Sequence, residues 1–262
     1  MTNPPSIDPP TVGVPRFNVL GVAVSALTLD HARDLLVGAK NRLQLGYVCV
    51  CTVHGVSEAQ SAPAFRKILN ESFLTTPDGM PLVWLGPSGT ERVYGPDLML
   101  AVCDAGRAVG LRHYFYGGDL GVAPLLAQKL TARFPGLAVA GTFSPPYREL
   151  NSDELAALRW DVARNRPDIV WVGLSTPKQE RFMAAQAKTL EAGVLVGVGA
   201  AFDFHAGRVR QAPRWIQRSG FEWLFRMCME PRRLAPRYFK TNPLFLLRIA
   251  AQLTGLKNYP IE

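Results

Sequence analysis

Short apolar runs alternate with longer segments of helical periodicity over most of this chain. The runs Asp168–Gly173 and Gly193–Val198 are rich in β-branched residues and lack a 3.6-residue period, which is typical of strands buried on both faces. The segments Val122–Phe134 and Ser152–Asn165 carry apolar residues at helical spacing. Strands that alternate with helices of about 10 to 15 residues predict an α/β fold with a doubly wound, mostly parallel sheet.

The same reading of the pattern predicts the other elements of this region. In chain order they are a strand or hairpin at Phe17–Ala26, a helix at Leu29–Leu43 capped by Thr28, a strand at Tyr47–Val53, helical residues at Ser57–Leu69, a strand at Ser72–Thr75, a loop at Thr76–Gly79, a short helix ending at Leu85, a helix at Pro96–Val109, and strands at Arg112–Tyr116 and Leu137–Thr142. No repeat with a period of about 20 to 50 residues is evident, so a repeat array is not expected.

The pattern changes after residue 207. Pro213–Arg226 and Pro231–Ala251 are helical, aromatic and basic, and no further strand is predicted. We therefore expect three regions: a disordered Pro-rich tail at residues 1–15, the doubly wound α/β domain at residues 16–207, and a helical basic appendage at residues 208–262.

All of the excess of basic over acidic residues lies in the last fifth of the chain. The formal net charge is +8, but residues 207–257 alone hold eleven basic residues and two acidic ones, whereas the rest of the chain has 18 basic and 19 acidic residues. Such a segment favours an acidic partner: phospholipid headgroups, a pyrophosphate or nucleic acid. Interleaved rings such as Trp223 and Phe239 could stack on bases, yet they suit a membrane interface at least as well. The plainest alternative is a helical pair that packs on the sheet or on another subunit.

Several classes of site are disfavoured by missing motifs. The four cysteines form no Cys-x-x-Cys pair, so neither a zinc site nor a disulfide framework is indicated, which favours a reducing cytoplasm. The start lacks a signal-peptide pattern, and no apolar run approaches the roughly 18 residues of a membrane span. The sequence has no Asp-x-Asp motif, which commonly holds a divalent metal ion on a diphosphate. The negative charge of a bound diphosphate would therefore be met by Arg, Lys and helix amides. Gly-x-Ser-x-Gly, the P-loop and a complete Gly-x-Gly-x-x-Gly are absent, which argues against serine hydrolases, NTPases and dehydrogenases.

Polar residues follow several of the predicted strands. Asp78 lies at a strand exit in a loop flanked by apolar residues, where it forms either an Asx-turn or a partly enclosed base. Arg92 either holds a phosphate or pairs with Glu91 or Asp97. Thr52 and His54 follow another strand, although a lone histidine is more often structural than catalytic.

Two adjacent strand ends suggest an anion or nucleotide site. Gly173 leads into a turn in which Thr176 stands at an N-cap position, Pro177 at the first helical position and Gln179 three residues after the cap. Gln179 therefore either completes a capping box or binds a ligand. The other candidates near such strand ends and helix N-termini are Lys178, Gly199 and Asp203, with Gly117 and Gly118 permitting close backbone approach.

These motifs, taken in order, resemble the WecG/TagA/CpsF family of glycosyltransferases. The resemblance runs from about Phe17 to Phe239 and rests on Pro77-Asp78-Gly79, Arg92–Leu98, Tyr116-Gly117-Gly118, Val172–Glu180, Gly197–Asp203, Ala212-Pro213, Phe221–Arg226 and Glu230–Arg233. It implies inverting transfer of a hexose, N-acetylhexosamine or uronic acid from a UDP-sugar to a polyprenyl-diphosphate-linked saccharide, in cell-surface polysaccharide synthesis. It also implies a Rossmann-like core and no required metal or other cofactor.

The resemblance assigns roles residue by residue. Asp78 matches the family's proposed catalytic base, and Arg92 and Gln179 match residues at the nucleotide-sugar site. Thr52 matches the threonine of the family's Thr-x-Asn motif, but His54 stands where that motif has asparagine, so His54 could share the base role.

The resemblance further implies that the basic appendage meets the membrane. Arg232, Arg233 and Arg237 are candidates for the acceptor diphosphate and the anionic surface. We therefore expect a peripheral protein on the cytoplasmic face of the plasma membrane, with no nucleic-acid partner and with homo-oligomers possible. The alternative functions are those of a nucleotide-dependent enzyme of another class and of a nucleic-acid-binding protein that uses the basic tail.

Overall fold

The computed structural model describes residues 13–40, 42 and 45–261, so most of the predicted Pro-rich tail lies outside the described residues. The strands are β1 Arg16–Val19, β2 Val22–Ser25, β3 Gly46–Cys51, β4 Leu74–Pro77, β5 Arg112–Gly117, β6 Ala138–Phe143, β7 Ile169–Gly173 and β8 Val194–Gly197. The helices are α1 Leu29–Val37, α2 Val53–Ser61, α3 Pro63–Asn70, α4 Met80–Leu85, α5 Gly95–Gly106, α6 Val122–Arg133, α7 Ser152–Asn165, α8 Lys178–Gln186, α9 Ala201–His205, α10 Arg214–Ser219, α11 Glu222–Met229 and α12 Pro231–Leu253.

Six of the strands form one parallel sheet in the order β4-β3-β8-β7-β5-β6. The connection from β5 through α6 runs outward to β6, whereas the connection from β7 through α8 runs the opposite way to β8. Connections that diverge from neighbouring strands open a crevice at the carboxyl ends of those strands. The prediction of a doubly wound, mostly parallel α/β sheet is confirmed; β1 and β2 form a separate antiparallel hairpin.

Helices cover both faces of the sheet and bury two hydrophobic clusters. One cluster holds apolar residues of α1, α5, α6 and α9, and the other holds those of α2, α3, α7 and α8. Neighbouring residues of β7 divide between them, since Trp171 belongs to the first cluster and Val172 to the second. This explains the unbroken apolar sequence of the central strands, because both of their faces are buried.

Helix ends differ from the prediction where glycine or proline intervenes. Helix α1 begins after Thr28, whose side chain accepts a hydrogen bond from the His31 N–H as predicted, but α1 ends before Gly38. The predicted end at Leu43 lies outside the described residues. The helical stretch predicted from Ser57 begins earlier and is two helices, because Ala62 precedes a proline and is held out of the helical conformation.

Strand β4 begins and ends two residues later than predicted. Its pairing with β3 sets this register, with Val48 opposite Leu74 and Cys51 opposite Pro77. The Asp78 N–H continues the pairing by donating to the Cys51 carbonyl oxygen at 2.8 Å. Asp78 is therefore the first residue beyond the strand, and Thr76 and Pro77 belong to the sheet and not to the loop.

The chain after residue 207 forms α10, α11 and α12, and no strand is found there among the described residues. The end of α12 returns to the rest of the protein, where Phe245 and Ile249 are buried in the second cluster. The Gln252 side chain accepts from the Leu20 N–H at 2.7 Å and donates to the Asn18 carbonyl oxygen at 2.9 Å. Within the described residues, none of the helices combines the length and apolar character that crossing a membrane requires.

Candidate active site

The carboxyl ends of the parallel strands bring most of the predicted site residues to one edge of the sheet. These residues are Thr52 and His54 after β3, Asp78 after β4, Gly117 and Gly118 at β5, Gly173, Lys178 and Gln179 at β7 and α8, and Gly199 and Asp203 after β8. A parallel sheet places such strand ends side by side, which is where open α/β folds bind their ligands. Their individual roles remain predictions.

Asp78 is enclosed at this edge and paired with Arg92. The Asp78 and Arg92 side chains are only 13% and 15% exposed, and both Arg92 Nη2 and Nε approach the same oxygen, Oδ1, at 3.1 and 3.3 Å. Neither of the neighbouring acids considered from the sequence, Glu91 or Asp97, pairs with Arg92; its second carboxylate partner is Glu222 of α11, with Nη2 at 2.6 Å from Oε2.

The environment of Asp78 suits a carboxylate that exchanges a proton. Burial raises the pKa of the Asp78 carboxyl to about 6; the Arg92 charge opposes this rise and the Glu222 charge adds to it. A base is most effective when its pKa lies near the working pH. Asp78 is therefore ionised at neutral pH and still able to accept a proton.

Thr52 and His54 lie at the neighbouring strand end in a helix start. Thr52 is the N-cap of α2, and its hydroxyl oxygen accepts from the Gly55 N–H at 3.4 Å. His54 is in the first turn of α2, with Nδ1 3.9 Å from the Glu58 carboxylate. Thr52 thus has a local structural role in addition to any role toward a substrate.

Gln179 does not cap its helix, so the predicted capping box is wrong. Helix α8 begins at Lys178 after Pro177, and Thr176 Oγ1 instead donates to the Glu180 carboxylate at 2.9 Å. The buried Gln179 accepts from the Gly199 N–H at 3.1 Å and donates to Glu180 at 3.0 Å. Gln179 therefore ties the end of β8 to the start of α8 across the site.

The glycines of β5 and β7 serve close packing of the two strands. Gly117 and Gly173 are register partners, and a Cβ on Gly117 would lie 2.5 Å from the Gly173 carbonyl oxygen. A Cβ on Gly173 would in turn meet the Phe202 ring at 2.4 Å. Both positions therefore require glycine for the fold itself, and the close backbone approach predicted at Gly117 is an approach to Gly173 of β7.

A cleft with a volume of about 440 Å³ opens beside the ends of β5 and β8. Its polar lining includes Asp119, Asp203, Arg208, Arg210 and Arg226. Arg208 pairs with Asp119 at 3.4 Å, and the Asp203 carbonyl oxygen accepts from the Arg208 N–H at 2.9 Å. Three arginines around a cleft of this size provide donors for phosphate oxygens.

The family model "Glycosyl transferase WecG/TagA/CpsF family" matches residues 17–259. The chain belongs to this family. The predicted enzyme class, a glycosyltransferase, is confirmed by that match.

Two curated relatives carry the same printed name, N-acetylglucosaminyldiphosphoundecaprenol N-acetyl-beta-D-mannosaminyltransferase. The protein of Bacillus spizizenii is 30% identical over 180 residues, which is 67% of this chain and 68% of that relative. The protein of Bacillus subtilis is 26% identical over 170 residues, covering 63% of this chain and 64% of that relative. The similarity thus extends over about two thirds of each protein.

The residues predicted for the acceptor lie on α12 of this glycosyltransferase. Arg232 is exposed in the first turn of α12, whereas the side chains of Arg233 and Arg237 lie outside what the structure describes. Lys178 is exposed at the start of α8, with its ammonium group 5.0 Å from the centre of the Tyr147 ring.

The sequence did not single out Glu222, Tyr94 or Glu180 as site residues. The Tyr94 hydroxyl donates to Glu222 at 2.9 Å, and the Arg92 guanidinium lies 4.0 Å from the centre of the Tyr94 ring. Glu180 is buried beside Gln179, and that burial raises its pKa. One signal was available for Glu222, because it is one of only two acids in the strongly basic segment 207–257.

Among the described residues, no group of three or more His, Cys, Asp or Glu side chains is arranged to hold a metal ion.

Proposed function

We propose that this glycosyltransferase moves a sugar from a UDP-sugar to a polyprenyl-diphosphate-linked saccharide in cell-surface polysaccharide synthesis, with inversion at the anomeric carbon. The names of the two Bacillus relatives describe transfer of N-acetylmannosamine to an undecaprenyl-diphosphate-linked N-acetylglucosamine. The observation that carries the proposal is an enclosed carboxylate, Asp78, held by Arg92 at the strand-end edge. The donor sugar is of the hexose, N-acetylhexosamine or uronic acid class.

Asp78 acts as the general base in this proposal. The acceptor hydroxyl oxygen attacks C1 of the donor sugar from the face opposite UDP while Asp78 takes the hydroxyl proton. The new C1–O bond forms as the C1–O bond to UDP breaks, so UDP leaves with the bonding electrons and the sugar is inverted. General-base assistance of this kind is typically worth about 10²- to 10⁴-fold in rate.

The donor is bound along the same edge, between the end of β7 and the cleft beside β8. Gln179, Lys178 and Gly199 line the first part, and Asp203 lines the cleft together with Arg226. The arginines and the N-terminal amides of α8 offset the charge on the leaving diphosphate without a metal ion. Because these groups offset the diphosphate charge, we expect that the reaction needs no cofactor. The UDP-sugar is a substrate.

The helices after residue 207 bring the site to the membrane, where a polyprenyl-linked acceptor must remain. The support is chemical, because large apolar side chains are exposed among basic residues in this segment. They are Trp215, Phe221, Met229, Phe239, Leu244, Leu246 and Leu247. Aromatic and aliphatic side chains enter the interfacial region while arginines meet anionic headgroups. We therefore propose peripheral attachment to the cytoplasmic face of the plasma membrane.

A donor screen tests the proposed activity. UDP-sugars are incubated one at a time with a short-chain lipid-diphosphate monosaccharide, and UDP release is measured with and without this acceptor. We expect acceptor-dependent release with at least one N-acetylhexosamine, hexose or uronic acid donor, and none above background with Asp78→Asn. Failure of every UDP-sugar to bind or react would refute the proposed function.

A further inference from the structure

Glu222 connects the helical segment to the Asp78 site. It is the first residue of α11, 130 positions from Arg92 in the sequence, and its side chain is 12% exposed. Its Oε2 accepts from Arg92 Nη2 at 2.6 Å, and its Oε1 accepts from the Tyr94 hydroxyl at 2.9 Å. Both carboxylate oxygens are therefore used, and both partners lie on the segment that follows α4.

The Arg92 guanidinium is consequently shared and fixed in direction. Nη2 is divided between Asp78 and Glu222, Nη1 donates to the Gln217 carbonyl oxygen at 3.3 Å, and the plane lies near the Tyr94 ring. With its donors placed this way, Arg92 reaches only Oδ1 of Asp78. Oδ2 of Asp78 makes no hydrogen bond to any residue that the structure describes and is left for another donor.

We propose that Glu222 is a positioning residue for the transfer reaction: by holding Arg92, it prevents two-point pairing of Arg92 with Asp78 and keeps Oδ2 open for the acceptor hydroxyl. This inference rests on the proposed function. An arginine next to one carboxylate tends to form two parallel hydrogen bonds to both of its oxygens. Here Nη2 also donates to Glu222 at the shorter distance of 2.6 Å, and this contact holds the guanidinium where it meets only one Asp78 oxygen.

The same contact supports the basicity of Asp78. An arginine that pairs with a single carboxylate stabilises the ionised form of that carboxylate and so makes the carboxylate a weaker base. An arginine that is shared between two carboxylates stabilises each of them less. The groups that face Asp78 are Arg92 and Tyr94 from the segment before α5, Glu222 and Arg226 of α11, and Cys51 of β3. Of these, only Glu222 is a second carboxylate.

Glu222→Gln is the decisive variant, because it removes the charge and keeps the size of the side chain. In wild type we expect the rate constant kcat for transfer to fall as pH is lowered through about 6, since Asp78 must be ionised to accept a proton. In Glu222→Gln, we expect kcat at neutral pH to fall about tenfold, part of the 10²- to 10⁴-fold available to a general base. The pH midpoint should move lower, because a negative charge that raises the Asp78 pKa has been removed.

Three further variants separate positioning from packing. Glu91→Gln changes the same charge at an exposed position beside Arg92 and should leave kcat and its pH midpoint unchanged. Glu222→Asp keeps the charge and should keep the wild-type midpoint with a partly restored kcat. In an Arg92→Gln background, Glu222→Gln should have less than a twofold further effect, because residues that act as one unit are not additive. Melting temperatures check that each variant is folded.

The outcomes distinguish this inference from the function on which it rests. If the wild-type protein releases no UDP with any donor and acceptor, the proposed function itself is wrong. If wild type is active and Glu222→Gln keeps its kcat and its midpoint, Glu222 does not position Arg92. If Glu222→Gln lowers kcat at an unchanged midpoint and equally in the Arg92→Gln background, its effect comes from packing of α11, and the inference is likewise overturned.

Discussion

The strand-end edge and the helices after residue 207 differ in charge, in exposure and in how their side chains are held. At the edge, Asp78 and Gln179 are enclosed; Asp78 is bonded to Arg92 and Cys51, and Gln179 to Gly199 and to its neighbour Glu180. In the helices, Trp215 and Phe239 are exposed among basic residues. A reaction that depends on a fixed geometry needs enclosed, hydrogen-bonded side chains. Attachment to a surface needs only exposed ones. Glu222 is the exception, because it lies on the helices but is held as the edge residues are.

The largest effect is expected from a change at the strand-end edge. Asp78→Asn should lower transfer by about 10²- to 10⁴-fold while the dissociation constant for UDP-sugar stays within a few-fold of wild type, because a base acts on the acceptor. Transfer is measured as acceptor-dependent UDP release and donor binding by calorimetry. Asp104→Asn, at an exposed site on α5, is the matched control. If Asp78→Asn turns over substrate at the wild-type rate, Asp78 has only a structural role in the turn.

The second test removes apolar side chains from the helices and leaves the charge in place. A triple variant, Phe239→Ser with Leu246→Ser and Leu247→Ser, should weaken binding to anionic liposomes at least about tenfold, since a fully buried side chain of this kind contributes roughly 1.5–3 kcal/mol. Binding of UDP-sugar should not change. The readout is cosedimentation at fixed, moderate salt.

Two comparisons make the liposome result specific. Trp160→Ser removes an equally exposed aromatic side chain from α7 and should not affect binding. Single-stranded DNA at the same salt should retain the protein less well than the liposomes do. Stronger retention on DNA, or equal retention of the triple variant on liposomes, would contradict a membrane-facing role for these helices. Deleting α12 is a poorer test, because it would also remove the buried Phe245 and Ile249.

A third test concerns the bond between β8 and α8. Gln179→Ala leaves the Gly199 N–H with only its longer bond to the Val172 carbonyl oxygen at 3.4 Å, and it removes one donor from the buried Glu180 carboxylate. A buried polar group that loses its partner costs about 1–3 kcal/mol, so we expect a lower melting temperature and a donor affinity reduced by about tenfold. Calorimetric titration with UDP provides the measurement. A variant that melts lower but binds UDP normally would limit Gln179 to a structural role.

The smallest expected effect is that of a chelator. With the diphosphate charge met by arginines and helix amides, EDTA should change the rate of UDP release less than about twofold. A rate lost on chelation and restored by Mg²⁺ or Mn²⁺ would show that a metal ion takes part. Parallel reactions with the zinc-saturated chelate control for nonspecific effects of EDTA.

The fold and the edge could be predicted because they depend on local patterns. Runs such as Asp168–Gly173 are apolar at every position since both faces of the strand are covered, and the parallel order then places the strand ends together. The capping box at Thr176 failed because α8 begins one residue later than the motif suggests, and the Gln179 side chain instead bonds Gly199. The Arg92–Glu222 contact joins residues 130 positions apart, and no local pattern encodes such a partner.

The closure of the β1–β2 hairpin by the end of the chain has a consequence for biosynthesis. Asn18 and Leu20 bond to the Gln252 side chain, and the Asn18 side chain donates to the Tyr259 carbonyl oxygen at 2.7 Å across 241 positions of sequence. At a translation rate of about 5–20 residues per second, the hairpin waits roughly 10–50 s for these partners. The hairpin is thus completed by residues that lie 232 to 241 positions later in the sequence, so it cannot make its native contacts before that segment has been synthesised.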